Sequence, residues 1–67
     1  MMVEFVGGPL DGKWLQLDEE EHVYRASVLG TDGQVKKYVY RLHINNGVPF
    51  RQPDGSLMMC YQPDENV

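Results

Sequence analysis

The chain contains one thiol, Cys60, and two imidazoles, His22 and His43, the residue types from which a nucleophile and its base are built. Cys60 lies in the apolar run Leu57-Met58-Met59-Cys60-Tyr61, however, where a lone cysteine reads as a small buried hydrophobe. Acids are plentiful, but Asp18-Glu19-Glu20-Glu21 reads as a solvated loop, and paired carboxylates need a cleft that so short a chain can scarcely enclose. No catalytic residue is assigned, and the sequence reads as that of a protein that is not an enzyme. The histidines stand 21 residues apart without paired cysteines, so neither a metal nor another cofactor is expected.

Residues suited to binding are easier to find. Arg25, Arg41 and His43 fall on the strand face opposite a tyrosine stripe, with Lys36 and Lys37 nearby. That is a hydrogen-bonding, basic surface suited to a phosphate-bearing small molecule or an acidic partner, or else ordinary solvent-facing charge. Among the aromatic residues, Tyr24, Tyr38, Tyr40, Phe50 and Tyr61 read chiefly as core, although Tyr24 is kept as a contact candidate. Trp14 alternates with Leu15 and Leu17 and is expected to be partly exposed. The candidate contact residues are therefore Trp14, Tyr24, Arg25, Arg41 and His43.

The elements that must position them are short strands. Four pairs, Asp11-Gly12, Asp32-Gly33, Asn46-Gly47 and Asp54-Gly55, combine a residue that hydrogen-bonds its own main chain with one that takes positive φ freely. Between these turns apolar residues recur with a period of two. Val3 and Phe5 alternate with Met2, Glu4 and Val6, and a hairpin is predicted from about residues 22–29 and 34–44. In its second arm Tyr38, Tyr40, Leu42 and Ile44 share one face, while Lys37, Val39, Arg41 and His43 share the other. Val48-Pro49-Phe50-Arg51 suits a sheet edge or a short extended link, and Leu57 to Tyr61 reads as a final strand. At most one helical turn is placed, in the stretch from Asp18 to His22. The fold expected is all-β: a small, strongly bent antiparallel sheet of five or six short strands, closing as an SH3-like barrel or β-roll.

Sixty-seven residues allow one domain, 1–67, with 64–67 frayed. A chain of this size buries roughly 60% of the surface its unfolded form exposes, so homo-oligomerisation is expected to add stability. A formal net charge of −4 makes nucleic acid a poor partner. With no apolar run long enough to cross a bilayer and a single cysteine, the expected setting is a reducing cytoplasm, with no membrane contact.

The most distinctive stretch is Phe5-Val6-Gly7-Gly8-Pro9-Leu10-Asp11-Gly12. Anion-binding loops need a following lysine or a third spaced glycine that opens a helix, and neither is present. Gly7, Gly8 and Pro9 therefore read as a tight connection between strands. With the later Tyr38-Val39-Tyr40-Arg41-Leu42, this segment resembles a loose group of small proteins encoded by bacteriophages and prophages, the similarity covering roughly residues 3–44. The resemblance implies a phage or prophage origin, hence a bacterial cytoplasm, and a small β fold, without supplying an activity; together with the lack of a catalytic set it leads to the expectation of an accessory or host-interfering role through contact with a host or phage protein. Two alternatives stay open: an oligomer that sequesters a nucleotide-derived signal between subunits as an anti-defence device, and a structural component of a virion or assembly.

Overall fold

The computed structural model describes residues 1–65 and is all-β among them, with a five-stranded, strongly curled half-barrel and a separate two-stranded ribbon. The strands are β1 (Met2–Val6), β2 (Trp14–Gln16), β3 (Val23–Leu29), β4 (Val35–Leu42), β5 (Ile44–Asn45), β6 (Val48–Pro49) and β7 (Leu57–Tyr61). The main sheet runs β2-β1-β7-β4-β3, and β5 pairs with β6.

Each pair of strands follows from its connection. The β3–β4 hairpin is antiparallel from Val23↔Arg41 to Leu29↔Val35, closed where Gly30 N donates to Gln34 O at 2.8 Å and Gly33 N to Gly30 O at 3.0 Å. Between β5 and β6 the turn has only two residues, Asn46 at φ 53° and Gly47 at φ 80°. Two successive positive φ values match the right-handed twist of a two-residue hairpin, and Asn-Gly is the pair that adopts them at least cost. Pro49 stands in this ribbon opposite Ile44, outside the main sheet, where its missing N–H breaks no ladder of the larger sheet.

The arrangement of β7 differs from a wholly antiparallel sheet. It pairs antiparallel with β4 (Arg41↔Cys60, Leu42↔Met59) but parallel with β1 (Val3↔Leu57, Phe5↔Met59). Its run of apolar residues shows no alternation; it lies at the centre of the sheet, with Leu57 and Met59 buried in the core and Met58 and Cys60 half-buried on the other face. Its direction relative to β1 is set by the five strands that intervene in the chain, so no local signal carries it.

The concave side of the curl holds the core. Val3, Phe5, Tyr40 and Met59 are fully buried, joined by Leu42 and Leu57, with Tyr24, Tyr38, Tyr61 and Leu17 packed around them. Phe5 meets the rings of Tyr24 and Tyr40 edge-on at 5.2 and 5.1 Å, and Tyr61 lies 5.6 Å from Tyr40, so the aromatic side chains form a connected cluster. The tyrosine stripe read from the sequence faces inward at Tyr38, Tyr40 and Leu42, but Ile44 has left the sheet for β5 and is exposed.

Local order is irregular at two places. Gly8–Leu10 forms a 3-10 turn between β1 and β2, and Pro63–Glu65 forms another after β7. Asp64 and Glu65, expected to fray, stand in this second turn, whereas 66 and 67 lie outside the described residues. In the acidic stretch there is only a hydrogen-bonded turn, Glu21 N donating to Asp18 O at 3.0 Å.

Candidate functional site

The register places alternate residues of each strand on the convex side of the curl. From the pairs Met2↔Gln16, Glu4↔Trp14, Glu4↔Met58, Val6↔Cys60, Arg41↔Cys60 and Val23↔Arg41, these residues share one face. At its β1–β2 end Trp14 is 43% exposed, and its neighbours Met2 and Val6 are also open to solvent. Met58 completes an apolar ring around Glu4, whose Oε1 accepts a 3.0 Å hydrogen bond from Gln52 Nε2. Gln52 also donates to Ser56 Oγ at 3.1 Å, and Asp54 accepts from the Ser56 amide and hydroxyl. The loop 52–56 thus fixes the one carboxylate within an exposed apolar patch. A partner surface that buries this patch must bring a donor or a cation to Glu4, because a buried unpaired carboxylate is costly.

None of the other candidates converges on Trp14, and only Arg25 and Arg41 lie together. Arg25 and Arg41 share the convex face at its β3–β4 end, with Lys37. Arg41 is committed there: its guanidinium makes a two-pronged ion pair with Glu65, using Nε and Nη2. That hydrogen bonding raises the Arg41 pKa and lowers that of Glu65, to which Arg25 adds a weaker favourable field. His43 lies just past the end of β4, its amide still donating to Met58 O of β7 at 2.8 Å and its ring meeting Phe50 edge-on at 5.4 Å, and Lys36 lies on the opposite face, being paired with Val28. Tyr24 belongs to the concave aromatic cluster through Phe5.

Cys60 lies half-buried on the convex face between Val6 and Arg41, and burial pushes its thiol pKa up, which disfavours the thiolate. No hydrogen bond joins it to His22 or His43 among the described residues. A cleft of about 260 Å³ opens beside Met2, lined also by Met1, Glu19, His22, Leu42, Arg51 and Leu57 among others. Its polar side chains come from two connections far apart in the chain, Glu19 and His22 before β3 and Arg51 before β7, so no sequence spacing could have announced it. Among the described residues no three histidines, cysteines or acids are grouped to hold a metal ion, and no helix is long and apolar enough to cross a membrane.

The Gly7-Gly8-Pro9 segment has a structural geometry. Tyr40 Oη donates to Gly7 O at 2.7 Å and accepts from Leu10 N at 2.9 Å, while Asp11 Oδ1 accepts from Gly7 N at 2.7 Å. The loop is laid across the Tyr40 and Tyr61 rings and stitched there.

No family model, curated protein or solved structure matches the chain. Its chemistry is therefore read from these surfaces alone. Of them, the Trp14 patch is the one in which apolar area, exposure and a positioned polar group occur together.

Proposed function

We propose that the chain is a non-enzymatic binding module, an accessory or host-interfering protein of phage type that acts in the bacterial cytoplasm by contacting another protein. The observation that carries this reading is the exposure of Trp14, Met2 and Val6 together on one sheet face around the anchored carboxylate of Glu4. Tryptophan ringed by apolar neighbours is the composition of an interface hot spot, and a central acid asks for a basic or donor group on the partner. Further support is that Arg41, the best-placed cation for a free phosphate, already has Glu65 as its counter-ion.

The test is a photo-crosslinking residue at position 16 or 2, beside Trp14, in the protein expressed in a bacterial host, compared with the same protein carrying Trp14→Ala. A specific crosslinked protein that disappears with W14A supports the reading. Recovery of the same partner with W14A, or no crosslinked protein with either, overturns it.

A further inference from the structure

β3 ends the main sheet, and its outer edge is open along seven residues. Which main-chain groups face outward is fixed by two bonds at its ends: Leu42 N donates to His22 O and Gly30 N to Gln34 O, both at 2.8 Å. In an antiparallel ladder such pairs alternate, so Tyr24, Ala26 and Val28 direct their N–H and C=O groups toward β4. The corresponding groups of Val23, Arg25, Ser27 and Leu29 point away from the sheet.

Apart from one charge, none of the usual devices blunts this edge. The strand Val-Tyr-Arg-Ala-Ser-Val-Leu contains no proline and no acid, its pairing with β4 is uninterrupted by a bulge, and its single charge, Arg25, lies on the convex face rather than the inward one. The opposite edge, β2, has only three residues and leads toward the run Asp18-Glu19-Glu20-Glu21. At the outer end of β3, Leu29 is 69% exposed and its cross-strand partner Val35 is 59% exposed, because β7 pairs with β4 only from Tyr40 to Leu42. The end of the hairpin projects with apolar side chains uncovered.

We propose that the chain self-associates through β3, the strand pairing antiparallel with β3 of a second copy about an axis at Ala26. This partner and surface are distinct from the Trp14 patch. In that register Val23 faces Leu29, Tyr24 faces Val28, Arg25 faces Ser27, and Ala26 faces its own counterpart. Every outward N–H and C=O of the strand finds an outward partner, because odd-numbered residues oppose odd-numbered ones. No like charges meet, and Leu29 gains an apolar neighbour at each end of the joined strands. Centring the pair on Arg25 would set two guanidinium groups face to face, which cross-strand pairing penalises. Centring it on Ser27 would carry Val23 past the strand end. The self-complementary edge therefore selects one register, and two half-barrels become one continuous sheet, the isologous arrangement commonest in homo-oligomers.

The test combines solution mass by sedimentation equilibrium, from micromolar to millimolar chain, with residue-resolved amide exchange. The expected result is a two-chain mass that grows in with concentration while the amides of Arg25 and Ser27 become protected. Ser27→Pro removes an outward N–H without touching the bonds to β4 and should abolish the dimer. Should that variant not fold, Ser27→Lys places lysine opposite Arg25 twice and should weaken association roughly tenfold, with R25E/S27K restoring it. A single-chain mass at every concentration overturns the proposal, as does a dimer in which these amides stay unprotected or whose affinity is unchanged by S27K. W14A should leave the dimer intact, so loss of the partner contact and loss of self-association are separately readable.

Discussion

The phenolic hydroxyl of Tyr40 donates a 2.7 Å hydrogen bond to the carbonyl of Gly7, a residue 33 positions earlier in the chain. The same oxygen accepts from Leu10 N, so one buried side chain satisfies both ends of the Gly8–Leu10 turn and holds the β1–β2 connection over the core.

Tyr40→Phe keeps the ring and its contacts with Phe5 and Tyr61 but leaves Gly7 O and Leu10 N without their partner. The expected loss is about 2 kcal/mol, because unsatisfied groups at a partly buried site cost more than the net worth of the bonds removed. Urea denaturation should show a lower midpoint with an unchanged slope. An unchanged midpoint would mean that the stitch is not made in solution.

Gly8→Ala should be the more damaging of two glycine changes. Gly8 has φ +61°, and a Cβ there would stand 2.6 Å from Tyr40 Oη and 2.8 Å from Tyr61 Cγ. Gly12 has φ +83° and nothing within 4 Å of its Cβ position. Gly12→Ala should cost about 1 kcal/mol from backbone strain alone, and Gly8→Ala at least about 2 kcal/mol, from strain together with overpacking. In the double variant Y40F/G8A, removal of the hydroxyl relieves part of the clash, so the losses should sum to less than the two singles.

Trp14→Ala should cost about 1–2 kcal/mol, well below a core truncation, since the side chain is 43% exposed at a sheet edge. Phe5→Ala should remove about 3–5 kcal/mol, because Phe5 is fully buried among Tyr24 and Tyr40. Thermal or urea unfolding of the two variants side by side separates a contact residue from a core residue. A W14A loss comparable with that of F5A would return Trp14 to the core.

Acid should weaken the protein through Glu65 and Asp54. The Arg41 hydrogen bond holds the Glu65 carboxyl below its ordinary range, and the Ser56 hydroxyl and amide do the same for Asp54. A carboxyl whose folded pKa lies below its unfolded value contributes stability in full above the unfolded pKa, roughly 4 for these side chains, and loses it as pH falls through the folded value. E65Q/D54N should therefore show a shallower fall in urea midpoint between roughly pH 5 and 2 than the parent chain. Identical acid limbs would show that neither carboxylate is paired in solution.

The parts of the fold legible in the sequence are those whose cause is local. Asn46-Gly47 announces its own turn, and the two-residue period of Tyr38, Tyr40 and Leu42 announces which face is buried. What was not legible depends on residues far apart in the chain. The glycines of the β1–β2 connection could be read as a tight turn, but their reason, Tyr40, is a strand on the far side of β7. The partner of Arg41 was not legible because Glu65 is 24 positions later, in a segment that looked unstructured. Trp14 could be picked out by alternation, whereas the patch around it could not, since Met58 reaches it only through the parallel pairing of β1 with β7.

The central place of β7 also bears on how the molecule comes into being. Translation delivers this strand after every other member of the sheet, yet β1 and β4 have no contact ladder with each other until it arrives between them. The β3–β4 hairpin, whose contacts are local, can close early and must then wait with Tyr40 and Leu42 uncovered. A nascent chain halted before Leu57 would be three unjoined ribbons, β1–β2, β3–β4 and β5–β6, and a messenger cut short there yields no reduced version of the protein.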